Sequence, residues 1–177
     1  MADSFVKWYY ELLNATFLGD NGDFGPQHFW ADASARITLS PSHPAKEAGE
    51  SICVQGDGRQ VCDALKHVVR KYRVTYHPVD GGVSGCVDGQ GQAVLQAAGT
   101  LLTPADHAVC GSFQQQFGLV RDPSLGNNWK IKFTNASLVS KPETTQAGHG
   151  SNSQFQAPAS FDQSSGSATA PSAMALS

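Results

Sequence analysis

The sequence predicts an α+β domain, and three observations carry that prediction. Apolar residues recur at helical spacing near the N-terminus and again around residues 57–71. From Tyr72 onward the apolar period changes from 3.6 to 2. Turn-rich breaks then cut the second half into four strand-length runs. About three helices followed by four long antiparallel strands is the pattern of helices covering one face of a sheet.

Each element has a local reason. Asp3 or Ser4 can cap a helix whose stripe is Phe5, Trp8, Tyr9, Leu12 and Leu13, ended by Gly19 to Gly22. A short second helix is predicted over about Gly25–Ala31, bringing Phe29 and Trp30 to the core. Arg36–Ser40 reads as a strand, Pro41, Pro44 and Gly49 as a loop, and Ile52-Cys53-Val54 as a second short strand. Asp57 followed by Gln60 resembles a capping box. The helix it opens buries Val61, Leu65, Val68 and Val69, with Asp63, Lys66, His67, Arg70 and Lys71 on a solvated face. Four strands follow, with inward sets Tyr72/Val74/Tyr76, Ala93/Leu95/Ala97/Leu101, Phe113/Phe117/Leu119 and Trp129/Ile131/Phe133. The breaks are Gly81-Gly82, Asp88-Gly89, Thr103 to Asp106, and Asp122 to Asn128.

Composition sets the limits of the folding unit. In Pro142–Ser177 the only acidic or basic side chains of the Asp, Glu, Lys and Arg types are Glu143 and Asp162. The larger apolar groups there are Phe155, Phe161, Met174 and Leu176, too few to offset the entropy of ordering. The domain is therefore expected over 1–141, with 142–177 a disordered Ser/Ala/Gln-rich tail. A net charge of −3 and a pI near 6.0 argue against a general nucleic-acid binder. No apolar run approaches the roughly 20 residues that span a bilayer. The N-terminus enters an amphipathic pattern at once, unlike a signal peptide, so a soluble intracellular chain is expected. Cys53, Cys62, Cys86 and Cys110 form no C-x-x-C pair and read as free thiols.

Catalytic signatures are missing from the sequence. Gly89-Gln90-Gly91 falls between strands, not at a strand-to-helix junction, and Gly82-Val83-Ser84-Gly85 lacks nucleophile-elbow spacing. The six histidines show no metal-ligand spacing. Asp32, Asp106 and His107 are acid–base candidates whose setting suggests surface or capping roles. No enzyme activity and no cofactor are expected.

The order of motifs resembles the nuclear transport factor 2-like family. Phe5-Val6-Lys7-Trp8-Tyr9-Tyr10-Glu11-Leu12-Leu13 looks like its opening helix, and Phe29 to Thr38 is similar to its next stretch. Val54-Gln55-Gly56 followed by Val61 resembles its entry into the third helix. Gly99-Thr100-Leu101, Phe113-Gln114-Gln115-Gln116-Phe117 and Trp129-Lys130-Ile131 match its last strands in order and type. The resemblance implies a curved antiparallel sheet wrapped into a cone around about three helices, often pairing through its open sheet face. It also implies protein recognition, with several family roles available: a carrier of GDP-bound Ran, the small partner of the mRNA-export receptor, scaffold domains, and isomerase-like enzymes. The loop Thr103–Cys110 holds one acid and one His where Ran carriers hold an acidic loop, which favours the export-partner role. The expected partner is a larger nuclear transport factor 2-like subunit or a second copy, with FG nucleoporins as further contacts. The expected location is nucleus and cytoplasm, at the pore. Outward alternation nominates Gln114, Gln116, Lys130 and Lys132 as interface residues. Tyr9, Trp30, Phe113 and Phe117 are expected to line the cone interior, where some relatives keep a pocket.

Overall fold

Helix α1 (Ala2–Ala15) forms because Val6, Tyr9, Tyr10 and Leu13 fall on one buried stripe. That stripe differs from the expected one. Trp8 is left 36% exposed, its ring edge-on to His28 at 4.9 Å, and Val6 and Tyr10 face the core instead. Helix α2 (Gly58–Tyr72) starts at the predicted cap: Asp57 accepts from the amides of Arg59 and Gln60, and the Gln60 side chain donates back at 2.9 Å. Arg73, at φ 51°, closes it in the left-handed region. The computed structural model to which these elements belong describes residues 2–19, 22–41, 49–89, 92–126 and 128–141.

The predicted helix over Gly25–Ala31 is replaced by a single 3-10 turn, Pro26–His28, so the described residues form two α-helices and not three. Strand β1 (Phe29–Ser40) begins at once and is far longer than Arg36–Ser40. Pairing with β6 at Phe29 and again from Ser34 carries the strand through its Ala-rich start, against the helical propensity of that run. The remaining strands are β2 (Glu50–Val54), β3 (Thr75–Val87), β4 (Gln92–Leu102), β5 (Val109–Asp122) and β6 (Asn128–Ser140). They form one curved sheet in the order β2-β1-β6-β5-β4-β3.

The sheet is mixed, which corrects the all-antiparallel expectation. A short connection makes β6 antiparallel to β5, and that direction leaves it parallel to β1. Tyr72 ends α2 and does not begin a strand. Gly81-Gly82 is a bulge inside β3, not a turn: pairing with β4 stops at Pro78 and resumes at Val83. A second bulge passes over Lys132, since Leu119 pairs with Ile131 and Gly118 with Phe133. Parity flips there. Ile131 and Thr134 face inward, while Phe133 turns to the outer face against Gly118.

Helix α1 lies on β3 and α2 on β1, and the core fills the space between helices and inner sheet face. Asn14 clamps α1 in place by mimicking a strand: its amide donates to Tyr76 O and accepts from Tyr76 N, both at 2.8 Å. No helix among the described residues is long and apolar enough to cross a membrane. The tail expectation for 142–177 lies outside the described residues, as do residues 42–48 of the predicted loop and Gln90-Gly91.

Candidate interaction face

Strand alternation sends one set of side chains into the core and the other to the sheet's outer face. Pairing registers then line up outward residues across all six strands: Ser84, Gln96, Gln116, Asn135, Arg36 and Cys53 are successive neighbours. A second row runs Ala98, Gln114, Ser137, Thr38 and Ser51. Between them the curved sheet holds a trough of about 490 Å³. Amides and small side chains line it, and among the described residues Arg36 is its one charged lining residue.

The structure divides the four predicted interface residues into two pairs. Gln114 and Gln116 lie in the trough. Lys130 and Lys132 sit near the start of β6 and are held in ion pairs. The Lys130 ammonium is 2.9 Å from Asp122 and 5.7 Å from the centre of the Trp30 ring. Lys132 is 2.6 Å from both oxygens of Asp32, which holds that exposed carboxyl below its usual range.

Beneath the trough, on the inner face of β5, Gln115 is 3% exposed and ties three hydroxyls together. Tyr10 donates to its carbonyl at 2.9 Å, and its amide donates to Tyr9 Oη at 3.1 Å and Thr134 Oγ1 at 2.7 Å. Tyr9, Phe113 and Phe117 pack into the same cluster; Tyr9 meets Phe117 edge-on at 4.7 Å, and Tyr10 stacks on Tyr76 at 5.4 Å. Trp30 lies apart on β1, partly buried, with its buried Nε1 lacking a hydrogen-bond partner among the described residues. Burial pushes the Tyr9, Tyr10 and Tyr76 phenols well above the ordinary tyrosine value.

The other candidates serve their own neighbourhoods. Asp106 accepts from the Thr103 hydroxyl and from Ala108 N at 3.2 Å, which lowers its carboxyl pKa. His107 adopts φ 54° in the same turn. On the basic face of α2, Glu50 accepts from the Tyr72 hydroxyl and from Lys71 at 2.9 Å, and Arg70 donates to Thr16 O at 3.3 Å. Among the described residues no cluster of three His, Cys, Asp or Glu could hold a metal ion.

Sequence reasoning passed over Arg36, Asn135, Gln96 and Gln115. Parity was the available signal. Arg36 sits between inward Ala35 and Ile37, and Gln115 shares the inward phase of Phe113 and Phe117.

Comparison with known structures places the fold. The yeast UBP3-associated protein BRE5 superposes with a TM-score of 0.54 at 15% identity, covering 78% of this chain and 93% of that one. An uncharacterized protein with a cystatin-like fold from Caulobacter vibrioides gives 0.52 at 11% identity, covering 80% and 88%. The fold is thus the cystatin-like, nuclear transport factor 2-like one, and the likeness to that group is one of fold. In sequence, the uncharacterized protein C3orf38 homolog of Mus musculus is 32% identical over 145 residues, covering 78% of this chain. The chain spans 39% of the length of that relative. A match to the family described as the DUF4518 C-terminal domain extends over residues 1–149, and the chain belongs to that family.

Proposed function

We propose that this domain is a non-enzymatic pairing module whose open sheet face takes up a second folded domain. The trough carries the reading. Its amides supply donors and acceptors together, its small residues permit close approach, and among the described residues its lining has no carboxylate or imidazole. The fold neighbour BRE5 occurs in a complex with the yeast deubiquitinase Ubp3, as its cofactor, which supports a partner-binding role for such a domain. The settings of the acid–base candidates support the same reading: Asp32 is ion-paired at the surface, and the interior of the sheet is filled by tyrosines and phenylalanines.

In its finer form the reading places the domain in nucleocytoplasmic transport, at the pore and on both sides of it. There it would be the small partner of an mRNA-export receptor, or would pair with itself. The Asp106 carboxylate is occupied within its own turn, which supports pairing over carriage of GDP-bound Ran. The test is a titration of the full chain against a larger nuclear transport factor 2-like export-receptor domain and against GDP-bound Ran. Gln114→Glu with Gln116→Glu should weaken sheet-face pairing at least about tenfold, since it buries like charges at the centre. Tight Ran binding that is lost in Asp106→Lys and indifferent to the Gln changes would overturn the proposal.

A further inference from the structure

We infer that the notch where β2 ends is an oxyanion site, and that it takes the phosphate group of a phosphate monoester.

The notch is a product of strand lengths. Pairing of β2 with β1 ends at Val54 opposite Ala35, whereas β1 itself reaches back to Phe29. A cavity of about 290 Å³ opens beside that step. Register supplies its walls. Cys53, Arg36 and Asn135 stand abreast on β2, β1 and β6, all exposed on the outer face. Ser34 and Gln55 lie two residues along from Arg36 and Cys53, and so share that face and line the same cavity. Neighbouring strands are about 4.8 Å apart and successive outward positions about 7 Å, so these side chains can all reach one bound group.

What converges there is a set of donors. Arg36 offers a fork of five N–H groups, Gln55 and Asn135 an amide NH2 each, and Ser34 a hydroxyl. Among the described residues none of these four side chains has a hydrogen bond or an ion pair. The described lining holds no carboxylate, and Ala35, Cys53 and Val54 complete it. Acids of the adjoining segments are engaged elsewhere. Asp32, two residues before Ser34, is 2.6 Å from Lys132, and Glu50 on β2 accepts from Tyr72 and Lys71. Asp57 caps α2 through the amides of Arg59 and Gln60. Arg36 is left as a cation between neutral donors, without a counter-charge. A carboxylate, with two oxygens, would engage the fork and leave the amides idle. A phosphate monoester brings three terminal oxygens and about −1.5 to −2 charge at pH 7, enough for the fork, an amide on either side and the hydroxyl. A small phosphate ester and a phosphorylated side chain present this same group, and the experiment separates them.

The experiment is an NMR titration of the full chain at constant ionic strength. Its probes are inorganic phosphate, adenosine 5′-monophosphate, and one serine peptide with and without a phosphoryl group. The Arg36 Nε–H signal and the side-chain amide signals of Gln55 and Asn135 should shift together and saturate. Arg36→Gln should raise the dissociation constant for inorganic phosphate at least about tenfold, and Asn135→Asp should do the same by repulsion. Both positions are exposed, and circular dichroism checks that each variant is folded. Arg59→Gln, at an exposed arginine outside the cavity, should leave the constant unchanged. Cys53 gives a second readout, since it lines the cavity while Cys86, equally exposed, does not. Saturating phosphate should slow alkylation of Cys53 by iodoacetamide and leave that of Cys86 unchanged. Tighter binding of the nucleotide than of inorganic phosphate supports the site with a small ester as ligand. Tighter binding of the phosphopeptide, lost without its phosphoryl group, supports the site with a protein ligand. No saturable shift, a loss in Arg59→Gln equal to that in Arg36→Gln, or Cys53 alkylation indifferent to phosphate would each overturn the inference.

Discussion

Replacing Gln115 by Leu keeps the side chain's approximate volume and removes three hydrogen bonds from the inside of the sheet. Each neutral bond contributes about 1 kcal/mol net, so their loss costs about 3 kcal/mol. Tyr10 suffers most, because Gln115 is the acceptor for its buried hydroxyl. Against a typical domain stability of about 5–15 kcal/mol this is a large fraction. The melting temperature should fall by about 10 °C for a domain of this size. Urea denaturation followed by circular dichroism reads the change directly, with the slope unaltered. A double-mutant cycle attributes it: Tyr10→Phe should cost at least about 1 kcal/mol less in the Gln115→Leu background than in the wild type, since the orphaned hydroxyl is gone. A single variant within about 1 kcal/mol of wild type, or additive effects, would refute the claim that this network fixes α1 on β5.

Two further perturbations test the buried phenols and a contact on the outer sheet face. All four tyrosines of the chain have raised phenol pKa values, the largest cause in each being burial. Above the unfolded value near 10.0 the unfolded chain loses phenol protons while the folded one keeps them, so stability falls as pH rises. For the three most deeply buried phenols the loss is about 4 kcal/mol per pH unit above 10, and tyrosinate absorbance should appear only with unfolding; normal titration in a still-folded protein would contradict this. Gly118→Ala would place a Cβ 2.0 Å from the Phe133 ring, and displacing that ring should cost about 1–3 kcal/mol in urea. The cost should largely vanish in a Phe133→Ala background, and equal costs in both would show that the contact does not matter.

Much of the fold was legible because burial patterns are local. The Asp57 cap, the Val61/Leu65/Val68/Val69 stripe of α2 and the inward phases of β4 and β5 follow directly from spacing, whereas Lys66, expected on the solvated face of α2, is buried. What escaped depended on partners far away in sequence. The Ala-rich run after Phe29 has a helix former's composition, and becomes strand because β6 pairs with β1. Phe133 changes face because a bulge absorbs Lys132, which no alternation rule reveals. The site divides the same way. Gln114 and Gln116 are outward by parity, but the fixing of Lys130 and Lys132 by Asp122 and Asp32 needs the sheet order. Gln115 was given no place by the sequence reading, although its phase, shared with Phe113 and Phe117, sets it inside.

Because β6 lies between β1 and β5, the sheet is joined by the last of the strands among the described residues. Until residues 128–140 are present, the chain can assemble only the β1–β2 pair and the β3-β4-β5 meander, each with a bare edge where β6 belongs. Asp32 and Lys132, one hundred residues apart, are brought together only by that closing step. Loop-closure entropy of this kind slows folding to the millisecond-to-second range of non-local topologies. During that interval two unpaired strand edges are open to other chains, so the vulnerable moment is the wait for β6, when intermolecular strand pairing competes with the correct insertion.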